Sequence, residues 1–231
     1  MRALLFDLDG TLADTDRLHE QAWLETLRPY GIEGDHHFYQ THISGGLNPE
    51  IVRRLLPHLS EAEERVLITR KENRFRELAR DLEALPGLDE LLEWAHRREL
   101  LTALVTNAPR ENAEHLTRTL GLTFDLIVLA EELAAGKPDP LPYRVALERL
   151  GRAAFAQRNT RLAAFAQRNT RLEAQEALAF EDSPSGVKAA VGAGIPTIGL
   201  TTGHPPEALE AAGAFLLIRD FSDPQLWKYL D

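Results

Sequence analysis

The sequence predicts an α/β fold, in which a doubly wound parallel sheet carries a small α-helical domain inserted after its first strand. Six short apolar runs predict the sheet, because each lacks polar alternation and is followed by a helical pattern or a turn. Strands that alternate with helical patterns are typical of a parallel sheet covered on both faces. The six predicted strands are residues 3–6, 101–105, 126–129, 177–180, 197–200 and 214–218.

The chain between the first two predicted strands is much longer than a crossover connection needs. It carries only helical patterns and two glycine-rich breaks, whereas a single crossover helix takes about a dozen residues or somewhat more. Pro86 and Gly87 mark the return of the chain to the sheet. We therefore assign residues 1–13 and 86–231 to an α/β core and residues 14–85 to an inserted helical cap domain.

The composition excludes several classes of protein and site. Of the 231 residues, 44% are hydrophobic, and the formal net charge is -10. Nucleic acids and anionic membranes attract clusters of Lys and Arg, so we expect neither as a partner. The chain has no cysteine, which excludes disulfides, thiolate zinc sites and cysteine nucleophiles. The apolar run at the start is too short and too acidic for a signal peptide or a membrane span, and we expect a cytoplasmic protein.

One segment repeats itself. Residues 153–162 and 163–172 are the same ten residues, AAFAQRNTRL, in tandem. In a helix the bulky apolar side chains of both copies fall on one side, which predicts an amphipathic surface helix over 153–172. Such a helix could bind a partner or could be a duplication tolerated at the surface. We favour the duplication, because the segment enters a strand at its amino end, whereas doubly wound sheets bind ligands at the carboxyl ends.

Two carboxylates follow the first predicted strand, at Asp7 and Asp9 in the string FDLDGTL. The carboxyl end of a strand lies at the ligand-binding edge of a doubly wound sheet, and Gly10 lets the chain turn sharply there. Such a turn can aim the two side chains differently, so that one carboxylate attacks a substrate while the other transfers protons. The alternative is a pair of aspartates that only caps the next helix.

The string DLDGT at 7–11 resembles the first motif of the haloacid dehalogenase superfamily of phosphohydrolases, and three further motifs of that family follow in order. Thr106 lies in VTNA, Lys137 lies in GKPDP and Asp182 lies in FEDSPSG. The first, second and fourth motifs directly follow predicted strands, and the third follows one after a short loop. The resemblance covers nearly the whole chain and implies a Rossmann-like core with a phosphoryl-transfer site at one sheet edge.

The resemblance implies a role for each acidic residue. Asp7 attacks phosphorus and forms an aspartyl-phosphate, while Asp9 protonates the leaving oxygen and later activates the hydrolytic water. Mg²⁺ is held by Asp7, the Asp9 main-chain carbonyl and Asp182, because this ion prefers hard oxygen ligands. Glu181 is either a further ligand or a carboxylate at the entry to the next helix.

The other two core motifs supply positive charge and hydrogen-bond donors. By resemblance, Lys137 holds Asp7 and neutralises the phosphoryl oxygens, although a lysine in such a turn is often simply solvated. Thr106 donates its hydroxyl and Asn107 its backbone N–H to the phosphoryl group. Taken alone, Thr106 is also an ordinary β-branched strand residue.

The predicted cap resembles the branch of β-phosphoglucomutases, sugar phosphatases and phosphoglycolate phosphatases. His19 contacts substrate or assists proton transfer, or is structural. The loop at 43–50, with Gly45, resembles the specificity loop of that branch, but Asn48 stands where the mutases have an arginine. A mutase needs a second phosphate site, for which arginine is the natural ligand, so Asn48 favours hydrolysis. Arg110 is available to substrate or to the helix surface.

The sequence therefore predicts a Mg²⁺-dependent phosphatase of small phosphate monoesters, sugar phosphates above all. The alternatives are a β-phosphoglucomutase and a phosphoglycolate phosphatase. A phospho-accepting signalling domain also uses a strand-end Asp, a Thr and a Lys, but it has no cap and no counterpart to the string DGT at 9–11. The partner that we expect is a small phosphorylated metabolite, bound by a monomer or a weak homodimer.

Overall fold

The structure, a computed structural model, describes residues 1–44, 46–158 and 172–231. Its sheet contains six parallel strands in the order β3-β2-β1-β4-β5-β6. The strands are β1 Ala3–Phe6, β2 Leu101–Thr106, β3 Leu126–Leu129, β4 Ala177–Glu181, β5 Thr197–Leu200 and β6 Leu216–Ile218. The predicted α/β fold with a parallel sheet is confirmed.

Three strand boundaries differ from the prediction. Strands β2 and β4 each run one residue further, to Thr106 and Glu181. Strand β6 begins two residues later than predicted, because the chain before it still belongs to the end of a helix. There the Ala214 N–H donates to the Leu209 carbonyl at 3.1 Å.

Helices cover both faces of the sheet and make up the segment after β1. In the part of the chain that the structure describes, they are α1 Asp16–Leu27, α2 His36–His42, α3 Asn48–Leu55, α4 Glu61–Leu78, α5 Leu88–Arg97, α6 Arg110–Thr119, α7 Leu141–Arg158, α8 Pro184–Gly192, α9 Pro206–Ala212 and α10 Pro224–Leu230. Among these helices, none has the length and apolar character that a membrane crossing requires. The predicted helix over 153–172 begins within α7, but residues 159–171 lie outside the described residues.

The chain divides into two compact units. The first contains Met1–Asp14 and Glu83–Asp231, and the second is Thr15–Leu82. In the first unit, an apolar core lies between the sheet and α7 and α8 and includes Tyr143. The second unit has its own core around Trp23. The role of this helical unit as a cap stays a prediction.

The position of β1 decides where the candidate site lies. All four of its residues are fully buried, and it pairs with β2 on one side and with β4 on the other. Phe6 lies opposite Leu104 and Phe180 in these pairs, and its ring stacks on that of Phe180 with 5.0 Å between the centroids. The residues that follow these three strands therefore meet in the middle of one sheet edge.

Gly87 begins the return to the sheet, at the N-terminus of α5, with a φ of 80°. A Cβ placed there would lie 2.5 Å from the backbone of Phe221 and Ser222. We expect Gly87→Ala to destabilise the protein by about 2–5 kcal/mol. The alanine would have to adopt a left-handed backbone conformation, and its Cβ would displace the backbone at residues 221–222. The urea midpoint measures this loss.

Gly121→Ala is the matched control, because Gly121 also has a positive φ of 67° but open space around its Cα. We expect it to cost about 1–2 kcal/mol, from backbone conformation alone. Equal losses in the two variants would contradict the close contact of Gly87 with the segment at 221–222.

Candidate active site

Three neighbouring strands bring polar side chains to the middle of the carboxyl edge. Asp7 follows β1, Asp182 follows β4, and Thr106 is the last residue of β2. The Asp7 N–H donates to the Phe180 carbonyl at 3.0 Å, which continues the β1–β4 ladder and fixes the Asp7 backbone. The three side chains that follow three separate apolar runs in the sequence are thus neighbours at one sheet edge.

Lys137 lies between two carboxylates, that of Asp7, which follows β1, and that of Glu181, which ends β4. It lies in the loop between β3 and α7, and its side chain is 4% exposed. Its Nζ forms a short ion pair with Asp7 Oδ1 and a second ion pair with Glu181 Oε1 at 2.5 Å. Asp7 and Glu181 are themselves buried. The flexible lysine side chain is therefore held between two carboxylates.

The buried carboxylates repel one another. Asp7, Glu181 and Asp182 place carboxylate oxygens within 4.8 Å of each other. Burial raises the pKa of Asp182 well above its usual range, and the charges of Asp7 and Glu181 add to this. Burial likewise raises the pKa of Asp7, and it raises the pKa of Glu181 to about 7, although Lys137 opposes both shifts. Negative charge at this edge is in excess.

Lys137 does not remove that excess by itself. Burial works to lower the pKa of Lys137, but attraction to Asp7 and Glu181 outweighs it, and the net shift is upward. The lysine is therefore a charged ammonium. One ammonium faces three carboxylates, so full ionisation of the cluster requires a further cation.

A small hard cation fits this arrangement. All three donors are carboxylates, which are the ligands that Mg²⁺ prefers. Glycines leave open the space beside Asp182, since a Cβ at Gly10 would lie 2.2 Å from its Oδ2 and one at Gly203 would lie 3.1 Å away. Glu181 differs from the other two, because its Oε1 already accepts hydrogen bonds from Lys137 and from the Tyr143 hydroxyl. Asp7 and Asp182 are the better candidates for ligands.

The turn after Asp7 is tied down by main-chain and side-chain hydrogen bonds. Asp9 is half-buried and forms a bridge with Ala13, where the Gly10 N–H donates to the Ala13 carbonyl at 2.9 Å. The Thr202 hydroxyl, from the loop after β5, donates to the Gly10 carbonyl at 2.6 Å. The carbonyl and carboxylate of Asp9 thus belong to a fixed turn at the same edge as Asp7.

Thr106 and Asn107 hold the loop that carries Lys137. The Asn107 side-chain amide donates to the Lys137 carbonyl and accepts from the Lys137 N–H, both at 3.0 Å. The Thr106 hydroxyl oxygen accepts from the Ala108 N–H at 2.9 Å, which leaves the hydroxyl proton to be donated elsewhere. Asn107 was predicted to donate its backbone N–H to a phosphoryl group, and the structure adds that its side chain positions the lysine.

The other predicted substrate residues are placed differently. His19 lies in the helical unit, where its Nδ1 is 3.0 Å from Lys71 Nζ and its ring stacks on Phe75. Arg110 begins α6 and is half-exposed in ion pairs with Glu114 and Glu132. The structure thus places Arg110 on the helix surface. Gly45 lies outside the described residues.

Sequence reasoning missed Tyr143, Thr202 and Gly203. Thr202 and Gly203 come shortly after a strand, so the strand-end rule that pointed to Asp7 could have found them. Tyr143 gave no such signal, because it lies in an ordinary helical pattern six residues after Lys137. Burial raises the pKa of the Tyr143 phenol far above its usual value, so its hydroxyl stays a hydrogen-bond donor to Glu181.

Known proteins resemble this chain over nearly its whole length. It is 32% identical to the phosphorylated carbohydrates phosphatase of Thermotoga maritima, over 95% of this chain and 94% of that protein. It is 27% identical to validoxylamine A 7'-phosphate phosphatase of Streptomyces hygroscopicus subsp. limoneus, over 99% and 98%. The crystal structure of CbbY from Rhodobacter sphaeroides in complex with phosphate superposes with a TM-score of 0.77 at 28% identity, over 96% of both chains.

The family model of the haloacid dehalogenase-like hydrolases matches residues 1–194, which include all four strand-edge motifs. The predicted resemblance is confirmed, and the chain belongs to the haloacid dehalogenase-like hydrolases.

Proposed function

We propose that this protein is a Mg²⁺-dependent phosphatase that hydrolyses small phosphate monoesters, sugar phosphates above all, through an aspartyl-phosphate on Asp7. The observation that carries the proposal is the buried arrangement of Asp7, Lys137 and Asp182 at one sheet edge. A carboxylate nucleophile held beside an ammonium suits attack on an anionic ester, because positive charge is already in place where negative charge gathers.

In the first step Asp7 attacks phosphorus, and the bond from phosphorus to the ester oxygen breaks. Asp9 gives its proton to the departing alkoxide. In the second step Asp9 takes a proton from water, and that water attacks phosphorus and breaks the bond to Asp7. Lys137 keeps the Asp7 carboxylate in place in both steps. The Thr106 hydroxyl and the Asn107 N–H donate to the phosphoryl oxygens.

Asp7, the Asp9 main-chain carbonyl and Asp182 would hold Mg²⁺. When bound, this ion offsets the repulsion between the phosphate dianion and the carboxylates. We assign Glu181 to the anchoring of Lys137, since its Oε1 is taken up by Lys137 and Tyr143.

Two observations favour hydrolysis over a mutase reaction. Two of the relatives described above are named as phosphatases, one of phosphorylated carbohydrates and one of validoxylamine A 7'-phosphate. In the helical unit, the Asn48 amide donates to Glu72 Oε1 at 2.6 Å, and Lys71 pairs with the same oxygen at 3.0 Å. Position 48 therefore presents a neutral group bonded to a carboxylate, whereas a second phosphate site needs a cation.

Phosphate release from sugar phosphates, phosphoglycolate and β-glucose 1-phosphate tests the proposal. We expect Mg²⁺-dependent release from sugar phosphates, and a loss of about 10³-fold or more in Asp7→Asn, because the nucleophile is gone. Asp89→Asn makes the same chemical change at an exposed residue of α5 and should keep wild-type turnover. Undiminished turnover in Asp7→Asn would contradict the proposal. Conversion of β-glucose 1-phosphate to an isomer without phosphate release would favour the mutase.

Thermal unfolding tests the metal site without turnover. We expect Mg²⁺ to raise the unfolding temperature of the wild type, since a ligand at 100 times its Kd stabilises by about 2.7 kcal/mol. In Asp182→Asn this rise should largely disappear. Without Mg²⁺ the variant should be at least as stable as the wild type, because one of the repelling carboxylates is neutral. An equal Mg²⁺-dependent rise in both proteins would exclude Asp182 as a ligand, and Asp89→Asn serves again as the control.

A further inference from the structure

Tyr143 contacts the centre of the candidate site from inside the core. It lies in the first turn of α7 and is fully buried. Its hydroxyl donates to Glu181 Oε1 at 2.5 Å, and Lys137 Nζ bonds to this same oxygen at 2.5 Å. A phenol that only filled the core would not need its hydroxyl at the oxygen that also binds Lys137.

The ring of Tyr143 makes a second contact. Lys137 Nζ lies 5.3 Å from the ring centroid, within the range of a cation–π interaction. Tyr143 therefore meets the ammonium directly through its ring and indirectly through Glu181. A lysine side chain has four flexible bonds, and these two contacts restrict where its ammonium can lie.

The hydroxyl also limits how strongly Glu181 attracts the lysine. The other carboxylate oxygen, Oε2, is buried without a hydrogen-bond partner in the described part of the chain. If the phenol did not donate to Oε1, Lys137 would be the sole remaining donor to Glu181 there. The ammonium would then move toward Glu181 and away from Asp7, because a buried carboxylate without donors is costly.

We propose that Tyr143 is a positioning residue, which acts through Glu181 and Lys137 to keep the ammonium against the Asp7 nucleophile. This inference rests on the proposed phosphatase function, and it adds a residue whose contacts with the site are made to Glu181 and Lys137. It assigns the hydroxyl and the ring separate tasks, which substitutions can separate.

Tyr143→Phe removes the hydroxyl and keeps the ring. We expect kcat for a sugar phosphate to fall about 10- to 100-fold, as for a small misplacement of a catalytic group, while KM changes less than about threefold. Tyr143→Leu removes both contacts and should lower kcat further. Tyr229→Phe is the matched control, because that tyrosine is half-exposed in the same unit. A folded Tyr143→Phe with wild-type kcat would overturn the inference.

The NMR signal of the Lys137 ammonium, assigned by its absence in Lys137→Met, is a readout that needs no turnover. In the wild type we expect a signal shifted upfield by the ring and slow to exchange with water, and in Tyr143→Phe a displaced signal with faster exchange. A wild-type signal like that of a solvated lysine would overturn the inference even if neither Tyr143 variant folds. The wild type could show the expected signal and yet release no phosphate in an Asp7-dependent way. That result would contradict the proposed function, but it would leave the positioning of Lys137 by Tyr143 intact.

Discussion

Lys137 forms ion pairs with two buried carboxylates, Asp7 and Glu181, and the geometry of the candidate site depends on these pairs. Carboxylates that have left water repel one another unless positive charge balances them, and removal of one partner of a buried pair costs about 3–5 kcal/mol. Two sets of hydrogen bonds support these ion pairs. Asn107 fixes the backbone of the lysine, and Tyr143 shares the Glu181 oxygen with its ammonium. The result is that the Asp7 carboxylate, which we propose as the nucleophile, is held in place before any substrate arrives.

The strand order of the sheet brings the residues of the candidate site together. Because β1 lies between β2 and β4, the residues that follow three apolar runs converge without any long loop. Three carboxylates around one ammonium leave an imbalance of charge, which the Mg²⁺ ion that we propose would offset. The same negative excess that would destabilise an ordinary core would, in the proposed function, favour a cation here and, with it, an anionic ester.

Much of this arrangement could be predicted from the sequence, because apolar runs mark buried strands and parallel strands place their carboxyl ends together. That logic located Asp7 and the sheet that carries it, and the resemblance to the family motifs added Thr106, Lys137 and Asp182. It could not find Tyr143, whose hydroxyl reaches Glu181 only through the packing of α7 on the sheet, nor the ion pair of Arg110 with Glu132. Contacts of this kind depend on side-chain directions between elements far apart in sequence, which periodicity and spacing do not contain.

In the mechanism that we propose, the phosphoryl group passes through a covalent bond to Asp7, and the stereochemistry at phosphorus shows whether it does. Each in-line displacement inverts the phosphorus, so two successive displacements restore its configuration. The measurement uses a phosphorothioate sugar ester, made chiral with oxygen isotopes and hydrolysed in water of the third isotope. We expect thiophosphate with overall retention of configuration. Inversion would show a single direct attack by water and would exclude the aspartyl-phosphate intermediate.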